Sequence, residues 1–388
     1  MLALRLARGT HPLVLLRRLL VAAASAGVGF LLLCTLGYAV GHPGESQAAL
    51  MRLAWCALPL AATVHFAVAV ARTDPATRPR PSLSAIGLGP ARLAAIAAAS
   101  TAVSCSLGSM VALLVFLHLR GDLTGLPFDG ASAELLGAGR PLPLAAALTL
   151  LAIVPVTASG AAALTLRPSR KAVLDDDPDA ADPAPPAAPA GLPWGVALIA
   201  LGLAIETYAA RATALDALPP AGGFGGGPAG VLAGWALTAL GLAVAGPGLT
   251  YLSGQLLQTF RPGVTRLLAG RALMEEARRI GRPLGVAGAV AATTIGATSL
   301  YGAGGARPFG PLTGLGAALV MACTTATLLT AALESRQTRV TTKDALLRLG
   351  ASGSMLRLAV ALRALTLLAV FAPLTWAVAE LAVLPLRR

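Results

Sequence analysis

The stretch Arg17–Val40, RRLLVAAASAGVGFLLLCTLGYAV, decides the fold. Two arginines hold the chain at a membrane surface, and an uncharged run of about 20 residues follows, the length a helix needs to cross a bilayer core of roughly 30 Å. The apolar residues do not alternate with polar ones, so the run reads as a helix and not as a barrel strand. A secretory signal peptide has a similar outline. The arginine pair, however, recurs inside the chain as Arg278-Arg279, 261 residues further on, ahead of the apolar stretch 283–302. That internal copy cannot be removed as a leader, so the first span is read as retained.

The same offset of 261 places Arg5 on Arg266, Gly9 on Gly270, Arg78 on Arg339 and Leu88-Gly89 on Leu349-Gly350. Residues 1–120 and 262–381 therefore read as two copies of one membrane module. Apolar runs predict spans at 19–40, 51–71, 93–118, 142–165, 193–211, 230–255, 283–302, 312–333 and 357–384. The two copies' starting points are an even number of spans apart, so both copies enter the membrane from one side as parallel repeats. The expected fold class is all-α: a polytopic membrane protein of about nine transmembrane helices in two parallel repeats. The fourth span of the first copy has no counterpart before the last residue, which places the C-terminus outside.

Composition agrees. Mean hydropathy is +0.75, 56% of residues are hydrophobic and 12% are charged, too little polar surface for a soluble domain of this size. The net charge of +13 invites a nucleic-acid reading. Its distribution opposes one. With a cytoplasmic N-terminus, most Lys and Arg fall on cytoplasmic segments; Arg52, Arg120, Arg140, Arg211 and Arg307 lie outside, Arg363 lies within a span, and Arg387-Arg388 end the chain. That is the positive-inside bias, and it leaves no nucleic-acid partner. Lys is rare beside Arg, and Ala, Gly and Pro abound. The bias points to a GC-rich bacterial genome, hence to a bacterial plasma membrane.

Cys34, Cys56, Cys105 and Cys323 all fall in expected spans without CxxC spacing, and are read as small apolar packing residues. The sequence divides into a first core at 1–165, an acidic Pro/Ala linker at 166–192, two connecting helices at 193–258 and a second, shortened core at 259–388. The linker carries Asp175, Asp176, Asp177, Asp179 and Asp182 and has nothing to bury. Gly222–Gly227, GGFGGG, lacks the Lys that a phosphate-binding loop needs. Outer segments are too short to bury a core of their own.

Each copy has a basic stretch between its second and third spans, at 72–92 and 334–357. In the second, Thr341 and Asp344 have capping-box spacing, Asp344 and Arg348 can pair along one face, and Ala345, Leu346 and Leu349 supply an apolar stripe. Gly350 suits a helix end where positive φ is required. A helix of about two turns is unstable alone in water, so it rests on the membrane surface or is gripped by a soluble partner. Met1–Arg18 and Val264–Arg282 read as basic interfacial helices along anionic headgroups. Within the spans, Glu206, Arg363, Glu380 and His65 are the ionisable candidates. Arg363 can snorkel to the interface, and His65 reads as a packing residue.

Asp344–Ser352, an acid followed by Leu-Leu-Arg, Leu-Gly-Ala and Ser, resembles the signature of FtsX-like (MacB-type) ABC transporter permeases. It is one residue shorter between acid and glycine, and Gly353-Ser354-Met355 replaces the usual basic and Gln residues. The first copy, Ser82–Pro90, has Gly87 where Arg is expected and lacks the acid. Two such cores joined by two spans are similar to the BceB-like arrangement, without its large ectodomain and its tenth span.

The resemblance implies that Ser82, Leu83, Ile86, Leu88 and Gly89, and Thr342, Asp344, Leu346, Leu347, Arg348, Leu349 and Gly350, contact ABC ATPase subunits, two in number. ATP and Mg would sit on those subunits, with no cofactor, metal or catalytic residue on this chain. The missing span leaves room for a further permease subunit. The function implied is export of a hydrophobic or amphiphilic compound, antibiotic-like or lipid-like. A second reading is a regulatory subunit that passes ATPase strokes to an extracytoplasmic partner. A third, an intramembrane lipid enzyme, lacks converging acids, bases or metal ligands.

Overall fold

The computed structural model describes residues 12–73, 90–123, 130–133, 136, 140–167, 188–214, 228–259, 263–301, 311–338, 348, 350 and 352–386. The long elements among them are all helices: α1 (Pro12–Gly41), α2 (Ser46–Thr73), α3 (Pro90–Arg120), α4 (Leu144–Leu166), α5 (Gly191–Ala214), α6 (Pro228–Thr259), α7 (Val264–Tyr301), α8 (Pro311–Thr338) and α9 (Gly353–Val383). Among the described residues, eight helices are long and apolar enough to cross a membrane. Their exposed faces are apolar, as with Leu107, Met110 and Leu114 on α3 or Leu365 and Leu368 on α9. The fold is that of an α-helical multi-pass membrane protein. The expected ninth span, 283–302, lies in α7, which does not reach that measure among the described residues. The first half of α7 carries five arginines, and its second half is built largely from Ala, Gly and Thr.

The chain forms two compact units. Unit 1 comprises Met1–Ala180 with Phe309–Thr330, and unit 2 comprises Ala181–Pro308 with Ala331–Arg388. The boundary therefore falls inside α8.

In unit 1, small and hydroxyl side chains let the backbones approach, as is usual where lipid supplies no hydrophobic drive between helices. A Cβ on Gly108 of α3 would lie 2.2 Å from the Ala22 carbonyl of α1. Nearby, Ser25 donates to the Cys105 carbonyl at 2.8 Å. Pro155 in α4 has no N–H, which frees the Leu151 carbonyl one turn earlier. Ser109 of α3 donates to that carbonyl at 3.2 Å. Phe30 and Phe116 meet edge to face with centroids 6.2 Å apart, in a core that includes Leu33, Cys34, Ala112 and Leu151.

The end of α3 turns back through Gly121 and Gly130, both at positive φ. There Arg120 donates to the Arg140 carbonyl and pairs with Asp122 at 3.5 Å. Arg140 in turn donates to the Val40 carbonyl at 2.7 Å. These two arginines close one end of the unit. The unit-1 part of α8 packs Leu319 by Gly27 and sets Cys323 3.6 Å from the Thr63 hydroxyl. All four cysteines are free and buried, as their sequence positions imply.

In unit 2, glycines set the spacing. Gly234, Gly241 and Gly248 recur every seven residues along α6, two helical turns apart, and so share a face. A Cβ on Gly202 of α5 would lie 2.7 Å from the Gly234 carbonyl, and one on Gly195 would lie 2.6 Å from the Ala245 nitrogen. On the other side of α6 the approach to α7 is closer still: a Cβ on Gly246 would lie 2.1 Å from the Gly281 carbonyl. α9 completes the unit through Val378 and Ala379, which pack with Leu242, Ala289 and Ala292.

Gly246→Val is therefore expected to lower stability by about 1–3 kcal/mol or more through overpacking. At Gly160 in α4, nothing lies within 4 Å of an added Cβ. Gly160→Ala should stabilise by about 0.5–1 kcal/mol by restricting the unfolded chain. Thermal unfolding of the purified variants in detergent checks both signs.

Candidate functional site

α8 ends at Thr338 and α9 begins at Gly353, so the stretch expected to contact a partner lies between them. Thr342, Asp344, Leu346, Leu347 and Leu349 lie outside the described residues, as do Ser82, Leu83, Ile86, Leu88 and Gly89. Arg348 is helical and exposed. Gly350 adopts φ +92°, the left-handed conformation expected of it. Two residues later Ser352 caps α9: its backbone is extended and its hydroxyl accepts from the Met355 N–H at 3.3 Å.

Beside these helix ends lies a charged cluster that the sequence reading did not contain. Glu276 of α7 is buried, and it pairs with the Arg363 guanidinium of α9. Ser335 of α8 donates to its other carboxylate oxygen. Burial of a lone carboxylate is costly, and a cation plus a hydrogen bond offset the desolvation. Arg363, one of the ionisable residues placed within the spans, turns to this carboxylate on α7. The signal for Glu276 was available. It shares one face with Ala269, Leu273 and Ala277, the apolar stripe of α7, whereas Arg271, Glu275, Arg278 and Arg279 line the exposed side.

Val264–Arg282, read from the sequence as a basic interfacial lead-in, is continuous with the stretch that follows it. α7 is one helix of 38 residues, about 57 Å long, nearly twice a bilayer core. Its first half does not turn its apolar face to lipid. Ala269 and Leu273 pack with Leu257 of α6 and Ala359 of α9. Gly270 meets the Gly254 carbonyl, and the Gln258 amide lies 3.1 Å from the Met274 sulfur. Glycine seams hold this part of α7 against α6 as they hold the rest.

The intramembrane candidates do not converge. Glu206 on α5 is fully buried beside Gly234 of α6, and Trp235 donates its indole N–H to Oε1 at 2.6 Å. Among the described residues, Glu206 Oε2 and Thr238 Oγ1 have no hydrogen-bond partner. His65 on α2 lies on the exposed side of its helix, where the sequence reading made it a packing residue; Thr63 and Phe66 hold the buried positions around it. Glu380 is half-buried near the end of α9. A void of about 20 Å³ beside Trp235, Thr238 and Thr293 has room for a single water. Among the described residues, no three His, Cys, Asp or Glu side chains group as a metal would need.

Comparison with protein-family models, curated proteins and solved structures finds no match.

Two substitutions probe this chemistry. Arg363→Met takes the cation from a buried carboxylate and is expected to cost about 3 kcal/mol, most of which Glu276→Leu on the same background should restore. Trp235→Phe keeps the ring and removes the donor to Glu206, for about 1–3 kcal/mol. Both are read from unfolding midpoints of the purified chain.

Proposed function

We propose that the chain is the membrane-spanning permease subunit of an ABC transporter, built from two parallel FtsX-like repeats and driven by separate ATPase subunits that bind ATP and Mg. What supports the repeat reading is where the helices begin and end. Shifted by 261, α1, α2 and α3 fall on 273–302, 307–334 and 351–381, against α7 at Val264–Tyr301, α8 at Pro311–Thr338 and α9 at Gly353–Val383. Apart from the start of α7, whose counterpart lies outside the described residues, every boundary agrees to within four residues.

The observation that carries the functional reading is the stretch between α8 and α9. An exposed helical Arg348, a left-handed Gly350 and a capping Ser352 stand in a Leu-Leu-Arg-Leu-Gly-Ala-Ser run that resembles the coupling-helix signature, one residue shorter between Arg and Leu. A segment that short needs something to dock on. ATPase closure would press on 334–357 and 72–92 and rearrange the repeats. The transported compound is hydrophobic or amphiphilic, since the helix faces carry little polar chemistry. On the positive-inside pattern, the N-terminus and both coupling segments face the cytoplasm of a bacterial cell.

Affinity purification from the native host should bring down a subunit of ABC-ATPase size. In proteoliposomes with that subunit, amphiphiles should stimulate ATP turnover. Replacing Leu346-Leu347-Arg348-Leu349 with Gly-Ser-Gly-Ser should abolish the stimulation while the chain remains inserted. Full activity of the chain without any ATPase, or undiminished stimulation in the replaced variant, overturns the reading.

A further inference from the structure

Two buried polar side chains of unit 2 face one seam, and each keeps an oxygen without a partner. Gly202 and Glu206 stand one turn apart on α5, as do Gly234 and Thr238 on α6. A Cβ on Gly202 would collide with the Thr238 hydroxyl, and one on Gly234 would lie 2.9 Å from Glu206 Cβ. Each polar side chain therefore lies over the glycine of the facing helix. Other threonines of this unit return their hydroxyls to their own helix: Thr250 donates to the Gly246 carbonyl and Thr293 to the Ala289 carbonyl, both at 2.8 Å. Thr238 Oγ1 does not, and it stays unsatisfied beside α5.

Glu206 is settled differently from Glu276. Glu276 has a guanidinium on one oxygen and a hydroxyl on the other. Among the described residues, Glu206 has the Trp235 indole on Oε1 and nothing on Oε2. A fully buried carboxylate with one neutral donor is left short of a positive charge, since desolvation of a lone carboxylate is costly. The elements packed on α5 do not bring one to it. α6 carries no charged residue from Pro228 to Thr259, and its titratable Tyr251 stands 16 residues beyond Trp235. The turn Leu384–Leu386 is uncharged. On α9, Arg357 and Arg363 lie in the first half, with Arg363 on Glu276, and Glu380 is a second acid. On α5 itself, Tyr208 and Arg211 are exposed.

The space at the seam limits what can fill that need. The void of about 20 Å³ beside Thr238 also touches Trp235, the donor to the carboxylate, and Thr293 of α7. It holds one body the size of a water molecule. Its other walls are Ala, Gly, Leu and Val, so a large polar group has no place there. An acid inside a membrane bundle, with one bare oxygen, a bare hydroxyl beside it and room for a single small body, has the parts of an ion site.

We propose that Glu206, with Thr238 beside it, binds a monovalent cation no larger than a water molecule, a proton or an alkali ion, in the α5–α6 seam. Glu206 supplies the charge through Oε2, Trp235 holds Oε1 in place, and the Thr238 hydroxyl gains its partner from the ion or its water. The inference stands apart from the permease reading, because neither an ATPase nor an amphiphile enters its argument or its test.

Trp235 is the natural reporter, since its N–H sits on the carboxylate. In the full chain in nanodiscs, Trp55→Phe, Trp194→Phe and Trp376→Phe, all at exposed positions, leave Trp235 as the one indole. Its emission is followed in two titrations, one with acid and one with sodium chloride against choline chloride at equal ionic strength. A reversible, saturable shift is expected, and Glu206→Gln should abolish it. A shift with acid alone makes the ion a proton. A shift with sodium that choline does not reproduce makes it an alkali ion. A carboxylate that only ties α5 to α6 would answer to neither titration.

Emission that stays flat from about pH 4 to 9 and in sodium overturns the inference. So does a shift that persists in Glu206→Gln. If that variant does not elute as a monodisperse species, Thr238→Val is read instead. It should move the midpoint of the parent's titration by about threefold or more, and an unmoved midpoint overturns the inference.

Discussion

Backbone meets backbone where Gly246 of α6 faces Gly281 of α7, so closely that one methyl group would collide with a carbonyl. The packing of unit 2 depends on that approach. In lipid, helices gain nothing by hiding apolar surface from one another, so they associate through van der Waals contact at short range. The glycines grant that range on both sides of α6, toward α5 at Gly202 and Gly234 and toward α7 at Gly246 and Gly254. The cost is a loss of tolerance, since a side chain at these points must displace a whole helix.

The same approach explains how a charge can be buried in unit 2. With α7 pressed against α6 along its first half, the face bearing Ala269, Leu273 and Glu276 has no access to water. The carboxylate must find its partners inside the bundle, and α8 and α9 provide them through Ser335 and Arg363. Among the described residues Glu206 is the other buried acid, with an indole N–H on one oxygen and a glycine of α6 beneath it. One acid thus joins helices that bracket an expected docking segment, and the other sits in a two-helix seam.

The apolar runs of the sequence made the helices legible, because a bilayer imposes length and composition on anything that crosses it. They placed eight spans within a few residues of helices that qualify. The cysteines and Gly350 were legible for similar reasons: one residue type suits a buried small site, and the other suits positive φ. α7 was legible in part: its arginines mark an exposed face, while the packing of the opposite face on α6 and α9 depends on residues distant in the chain. Glu276 was visible as an acid on an apolar stripe, but its cation lies 87 residues away on α9, and no local period points to it. Arg363 suffered from the same distance. His65 shows the converse, a residue assigned to the interior by its span although its neighbours hold the inward positions.

The central claim is that α7 is a single rod from Val264 to Tyr301, gripped along its length by α6, and not a surface helix hinged to a membrane helix at Pro283. Amide hydrogen exchange of the chain in nanodiscs tests it most directly. The account predicts continuous slow exchange from Leu273 through Gly288, including the residues around Arg282 and Leu284. Fast exchange confined to residues 278–286, with protection on either side, would mean a hinge there and would contradict it.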